Sequence, residues 1–175
     1  ILALFIAGIA WGSMPIQPGR LRGKYGEAIV AAAGPAANLV LAILSMIAMY
    51  ILVRTTGITM FDQAAEGQNT QTLTNIIYFL SIFSMVNIVL MLFNLMPVPP
   101  LDGAHILANF HDGYARFISD PSKQGIFLFM FLAVFMLSDV FANAAMRTVG
   151  TVTEAAYVAH YDLEETEEML DDIQS

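Results

Sequence analysis

Two long apolar segments, residues 25–53 and 73–95, dominate the pattern of hydrophobic and polar positions along the chain. Each is longer than the roughly 20 residues that an α-helix needs to cross the hydrocarbon core of a bilayer. Residues 54–72, which lie between them, are mostly polar. The pattern therefore predicts two membrane-spanning helices that run in opposite directions and are joined by a polar loop.

The segment before the first predicted helix indicates the orientation of the chain. Residues 1–11 are apolar but too short to span, so they are expected to be the end of a longer helix. Residues 12–24 contain several prolines and glycines and carry Arg20, Arg22 and Lys24. Because cytoplasmic loops are rich in Lys and Arg, this loop is predicted to be cytoplasmic.

Three further segments follow the second predicted helix. Residues 103–117 are predicted to form a short interfacial helix. Residues 125–138 are apolar but cover only about half to two thirds of a bilayer span, and they either continue as a helix or break there. Residues 151–175 are predicted to be an acidic helical tail, separate from a membrane domain over residues 1–150.

Both predicted spanning helices carry a polar stripe at helical spacing. In the first helix this face is small and polar and is expected to point into the bundle; it comprises Glu27, Ala31, Gly34, Asn38, Leu41 and Ser45. In the second helix the corresponding stripe comprises Leu80, Ser84, Asn87, Met91 and Asn94. Small residues allow close approach of helices in lipid, and polar ones can bond across the interface.

The composition agrees with a membrane protein. The chain is 57% hydrophobic and 13% charged, against about 45–50% and about 25% for soluble domains. It has no cysteine, which excludes disulfides and thiolate ligands for metals. Much of the net charge of −8 comes from acids after residue 161, so neither charge nor aromatic content suits nucleic acid. The predicted fold class is all-α, a polytopic transmembrane helix bundle.

A proline-rich segment ends the second apolar run. Pro97, Pro99 and Pro100 cannot continue a helix, because each lacks an N–H and constrains the residue before it. Irregular backbone at membrane depth must be buried in protein or line a wet cavity. Asp102 and Gly103 follow in what is predicted to be unwound chain. A carboxylate at that depth is costly without a partner, and a bound cation would provide one.

The sequence Asn94-x-x-Pro97-x-Pro99-Pro100-Leu101-Asp102-Gly103 resembles the second signature of the site-2 protease family of intramembrane zinc metalloproteases. A second match lies upstream, where Gly34-Pro35-Ala36-Ala37-Asn38 resembles the family's Ala-Gly-Pro-x-x-Asn helix. The two motifs occur in family order with a predicted spanning helix between them. The chain is thus similar to small bacterial members of this family.

The resemblance implies roles for individual residues. Asp102 would be a ligand of Zn²⁺, and Asn38 and Asn94 would bind the backbone of an unwound substrate or of the active site. Structural roles in the active-site loops would fall to Gly34, Pro35, Pro97, Pro99, Pro100 and Gly103. From the residues alone, Asp102 could instead cap a helix, and the two asparagines could be hydrogen-bonding links between helices.

The family's other ligands and its general base lie in a His-Glu-x-x-His helix. The histidines of this chain are His105, His111 and His160, and none forms that motif. A ligand role for His105 is an alternative, but a solvated histidine is favoured there. We expect that the motif lies upstream of Ile1 in a longer protein, and that this chain alone is inactive.

The resemblance therefore implies an intramembrane zinc metalloprotease that cleaves transmembrane protein substrates, as in regulated intramembrane proteolysis. The expected location is a bacterial cell membrane, with the active-site side cytoplasmic and the polar stripes facing a water-filled cleft. Two alternatives are a non-catalytic homologue that binds membrane segments and a transporter subunit with a cation site at a broken helix. The partners expected are the substrate and the lipid bilayer, and the oligomeric state is left open.

Overall fold

The computed structural model describes residues 25–59 and 68–174, and it is helical apart from short connections. Two long helices come first, α1 (Gly26–Thr56) and α2 (Gln68–Asn94). Two short helices follow, α3 (Asp102–Phe110) and α4 (Asp112–Ile118), and then a 3₁₀ turn at Pro121–Lys123. The last two helices are α5 (Gln124–Met136) and α6 (Ser138–Gln174). The predicted cytoplasmic loop at 12–24 and the apolar residues 1–11 lie outside the described residues.

Helices α1, α2 and α6 pack together as a three-helix bundle. Its fully or largely buried apolar side chains form one cluster, which comprises Ala42, Met49, Val53, Ile77, Ile88, Ala145, Val149 and Ala156. On the outside, large apolar side chains such as Ile29 and Phe79 are 69% and 62% exposed. An apolar exterior of this kind suits contact with lipid tails.

Polar contacts also join the three helices inside the bundle. The Ser84 hydroxyl donates to the Ser45 hydroxyl at 2.9 Å, which links α2 to α1. The Met49 sulfur accepts hydrogen bonds from Ser81 at 3.1 Å and from Thr153 at 3.6 Å. Each of these hydroxyls also bonds a carbonyl in its own helix. Hydroxyl groups buried in this way have partners, as a membrane interior requires.

The described residues contain three helical segments long and apolar enough to cross a membrane, namely Gly26–Thr56, Thr70–Asn94 and Pro121–Leu163. The third includes the 3₁₀ turn, α5 and most of α6. The predicted all-α fold with spanning helices is therefore confirmed. Helix α1 matches its prediction closely and ends at Gly57, whose φ of 63° lies in the left-handed region that glycine tolerates best.

Other expectations need correction. The predicted helix at 103–117 is two helices, because the chain becomes extended at His111. The open question at residue 138 is answered by a turn at Leu137, where α5 ends and α6 begins. The acidic tail is helical, as expected, and forms the last part of α6, which is continuous across residue 150. The division into two domains at that residue stays a prediction.

The inward face predicted for residues 25–53 is only partly right. Ala31 and Ser45 are buried, but Leu41 is 43% exposed and Glu27 is exposed. The buried face is rotated towards Ala28, Pro35 and Met49 because α1 contacts α3 along its first half and α2 and α6 further on. In α2, Ser84 and Asn87 are buried in helix packing. That part of the polar stripe does not line an open cleft.

Candidate functional site

The backbone unwinds between α2 and α3 and is held in a series of tight turns. The Met96 N–H donates to the Phe93 carbonyl at 3.1 Å, and the Val98 N–H donates to the Met96 carbonyl at 2.8 Å. The Leu101 N–H then donates to the Val98 carbonyl at 2.9 Å. The predicted break at the prolines is therefore present, with a cis peptide bond between Pro99 and Pro100. We call residues 95–101 the proline loop.

One side of the proline loop is buried. Val98 and Leu101 form an apolar cluster with Val134 of α5. Partly buried aromatic and methionine side chains surround this cluster, and they are Phe93, Met96, Met130, Phe131 and Phe141. Helix α5 and the start of α6 thereby support the loop from the side of the apolar cluster.

After the loop, α3 runs antiparallel to the first half of α1. Asp102, at the start of α3, contacts Gly34 of α1. At the other end of α3, the Phe110 ring stacks on the Tyr25 ring with centroids 5.4 Å apart. Gly34 is eight residues from the start of α1, which corresponds to about 12 Å along the helix axis. Asp102 is thus placed beside the interior of a spanning helix and not at its end.

Asp102 is the first residue of α3, whereas it was predicted to lie in unwound chain. The helix can begin there because neither Leu101 nor Asp102 is followed by a proline, so neither residue is kept out of helical geometry. The cap position belongs to Leu101, which makes no side-chain cap hydrogen bond. Within residues 25–59 and 68–174, no hydrogen bond reaches the Asp102 carboxylate.

The Asp102 side chain is half-buried and packs on the backbone of α1. A Cβ placed on Gly34 would lie 2.9 Å from Asp102 Oδ2. Partial burial raises the pKa of the Asp102 carboxyl above its usual value, and the charge of His105 acts in the opposite direction. The carboxylate therefore occupies a setting in which a bound cation would stabilise its charged form.

Gly103 lies against backbone on the other side of Asp102. A Cβ at Gly103 would collide with the Leu95 and Met96 carbonyls. The two glycines of the predicted site thus serve different contacts, since Gly34 accommodates a carboxylate and Gly103 accommodates the returning main chain. This agrees with the expectation that Gly103 permits a close approach.

The remaining predicted site residues lie near this level of the bundle. Asn38 is half-buried one turn after Gly34 on α1, and Pro35 beside Gly34 is buried. Asn94 is half-buried at the last position of α2, directly before the proline loop. Their role in substrate binding stays a prediction.

The three histidines are in different places. His105 is exposed one turn after Asp102 on α3. His111 separates α3 from α4, and its Nδ1 accepts a hydrogen bond from the Tyr114 N–H at 3.1 Å. His160 lies at the far end of the bundle, where its Nδ1 is 2.8 Å from the Arg54 carbonyl. His160 and Asp102 are therefore not brought together.

The residues present fit a zinc site in one respect. Asp102 can supply one carboxylate oxygen, a ligand that zinc accepts, and no protein donor in the described ranges competes for it. The same ranges contain no group of three or more His, Asp or Glu side chains that could hold a metal. A complete set of three protein ligands would therefore need donors from outside the described residues.

The sequence does not mark one contact near the site or one unpartnered polar atom on α3. The Tyr114 hydroxyl donates to the Pro97 carbonyl at 2.8 Å, across 17 positions of sequence. Asn109 on α3 has a buried Oδ1 without a hydrogen-bond partner among the described residues. Neither feature has a periodicity or motif in the sequence, because both depend on how α3 and α4 fold back.

Residues 21–138 match the family model described as Peptidase family M50. The chain belongs to this family. The match covers both the Gly34 segment and the proline loop, which are the two motifs that meet in the structure. Membership of the family supports a metalloprotease and, more generally, a zinc-dependent chemistry.

One curated relative agrees with this assignment. The chain is 29% identical over 137 residues to "Putative zinc metalloprotease YwhC" of Bacillus subtilis (strain 168). The alignment covers 76% of this chain and 58% of that protein, so the chain spans little more than half of the length of its relative. No solved structure matches the chain.

Proposed function

We propose that this chain is part of an intramembrane zinc metalloprotease that cleaves transmembrane protein substrates. The observation that carries the proposal is the contact between Asp102 and Gly34, which brings the two family motifs together beside a spanning helix. The family match and the zinc metalloprotease relative support it. The peptide bond would be hydrolysed at the level of the proline loop.

Asp102 would hold the zinc ion through a carboxylate oxygen. Zinc, when bound, supplies a Lewis acid that polarises the scissile carbonyl and activates water. The remaining ligands and the general base would come from a His-Glu-x-x-His helix elsewhere in the complete protein. Asn38 and Asn94 would donate hydrogen bonds to an extended substrate backbone, since an unwound strand in a membrane needs polar partners.

The proposed location follows from charge and depth. Arg116 and Lys123 lie in the α3–α4 region and just after it, at the same end of the bundle as the proline loop. By the positive-inside rule this end would face the cytoplasm. The proposal therefore has the site open from the cytoplasmic side of a bacterial cell membrane, with a role in regulated intramembrane proteolysis.

The test replaces Asp102 with asparagine in the complete protein. Asp102→Asn keeps the shape of the side chain but removes the charge. We expect zinc affinity to fall by more than the roughly 10- to 100-fold loss that is typical of changes around a ligand, and cleavage of a transmembrane substrate to be lost with it. Asp112→Asn is the matched control, because Asp112 is exposed at the start of α4.

The results separate the proposed function from its alternatives. Full zinc content and full cleavage in Asp102→Asn would exclude the assignment. Binding of membrane segments without cleavage by the unchanged protein would favour a non-catalytic homologue. Cation-dependent flux in liposomes without proteolysis would favour a transporter. The break between α2 and α3 is similar to the broken helices that form cation sites in transporters.

A further inference from the structure

Tyr114 is held at both its backbone and its side chain. Its N–H donates to His111 Nδ1 at 3.1 Å, and its hydroxyl donates to the Pro97 carbonyl at 2.8 Å. Its ring contacts the Phe117 ring at a centroid distance of 6.3 Å, and Phe117 in turn packs edge-on against Phe127 of α5. Tyr114 is therefore held in place by contacts other than its hydrogen bond to the proline loop.

The Pro97 carbonyl has few possible hydrogen-bond donors other than the Tyr114 hydroxyl. The residues that would donate to it in a turn include Pro99 and Pro100, which have no N–H. The N–H groups of Val98 and Leu101 are already used within the loop. Partial burial raises the pKa of the Tyr114 phenol, which keeps the hydroxyl protonated and able to donate.

The proline loop transmits this contact to Asp102. From Pro97 to α3 the backbone is a series of short turns, with Leu101 bonded to Val98 at 2.9 Å and Ala104 bonded to Leu101 at 3.1 Å. Apolar packing on Val134 holds the loop from one side, and the Tyr114 hydrogen bond holds the Pro97 carbonyl. A change at Pro97 would therefore shift the first turn of α3, where Asp102 lies.

We propose that Tyr114 is a positioning residue for the Asp102 carboxylate, acting through the Pro97 carbonyl and the proline loop. The inference rests on the proposed function, because it assigns Tyr114 a part in holding the zinc ligand. Tyr114 touches neither substrate nor metal in this arrangement. Its hydrogen bond to Pro97 limits the conformations of the proline loop, and thereby the positions from which the Asp102 carboxylate would bind zinc.

The experiment measures zinc affinity of the complete protein by competition with a chelator. Tyr114→Phe removes the hydroxyl alone and should weaken zinc binding by roughly two- to tenfold, as expected for loss of one hydrogen bond. Tyr157→Phe is the matched control, since its hydroxyl bonds Tyr161 on α6 at 3.0 Å, away from the loop. Incorporation of p-aminophenylalanine at position 114 restores a donor and should restore the affinity.

A second readout does not depend on the metal. Hydrogen exchange at the Leu101 and Ala104 amides should be faster in Tyr114→Phe and unchanged in Tyr157→Phe. Unchanged zinc affinity in Tyr114→Phe would overturn the positioning role, and so would a loss that p-aminophenylalanine does not rescue. An unchanged protein that binds no zinc would overturn the proposed function itself, whereas the exchange rates would still show whether Tyr114 holds the loop.

Discussion

Gly34 and Asp102, which are 68 positions apart in sequence, are in contact. Asp102 Oδ2 occupies the space in which a Gly34 side chain would begin. A Cβ at Gly34 would lie 2.9 Å from that oxygen, a separation below what real Cβ atoms show. The glycine of one family motif is thus explained by the carboxylate of the other. An added Cβ would require the Asp102 carboxylate to shift, and this close approach is specific to one point of α1.

Gly34→Ala should lower zinc affinity without destabilising α1. In a helix interior, alanine is favoured over glycine by about 0.8–1 kcal/mol, so α1 itself should not suffer. The new methyl group displaces Asp102 Oδ2, and zinc affinity of the complete protein should fall. Chelator competition measures this, with Gly150→Ala in α6 as the control because no atom lies within 4 Å of a Cβ there. Equal affinity in both variants would contradict the steric explanation.

Gly103→Ala should be more damaging than Gly34→Ala. The atoms that a Cβ would meet at Gly103 are the Leu95 and Met96 carbonyls, and main chain cannot move aside as a side chain can. We expect a loss of stability at the upper end of the roughly 1–3 kcal/mol that is typical of overpacking. Unfolding in mixed micelles provides the measurement. Gly125→Ala, at the open start of α5, should change little.

The hydrogen bond between Ser45 and Ser84 can be isolated by a double-mutant cycle. Ser45→Ala and Ser84→Ala remove one hydroxyl each from a buried pair joined at 2.9 Å. Both hydroxyls also bond carbonyls in their own helices, so the coupling energy should be close to the average of about 0.6 kcal/mol for such contacts in membranes. A coupling of zero would mean that the pair contributes by packing alone.

A pH-dependent contact lies just before the third spanning segment. The hydroxyl and the N–H of Ser122 donate to Asp120, and they lower the pKa of its carboxyl, with Lys123 adding to the effect. Since the folded-state pKa is lowered, the contact stabilises the fold above the unfolded-state pKa and is lost as pH falls through the folded-state value.

Ser122→Ala should therefore raise the pKa of Asp120 towards its usual value. A carboxyl-carbon NMR titration measures the change directly. Ser119→Ala serves as the control, because the Ser119 hydroxyl bonds the Ala115 carbonyl at 2.8 Å and not the aspartate. An equal shift in the two variants would assign the effect to general solvation of this segment.

The sequence was sufficient for the features that depend on local pattern. Apolar length predicted α1 and α2, and the lack of N–H groups at Pro97, Pro99 and Pro100 predicted the break between α2 and α3. The resemblance identified the motifs that contain Gly34 and Asp102. The contact between these two residues could not be predicted from either motif, because it depends on α3 turning back along α1.

Other features could not be predicted for a related reason. Helix α3 ends at His111 because the His111 side chain caps α4. Helical propensity does not decide between this arrangement and one continuous helix over residues 103–117. Leu41 was assigned to the inner face from its spacing, but the buried face follows whichever helices are adjacent. The Tyr114 hydroxyl contact with Pro97 likewise depends on the position of α4.

Helix α6 runs in the same direction as α1, since Thr153 contacts Met49 and His160 contacts Arg54 further along both helices. Asp102, in contrast, is level with the first half of α1. An epitope tag placed after the acidic end of α6 and a cysteine label placed in α4 would accordingly be accessible from opposite faces of the membrane.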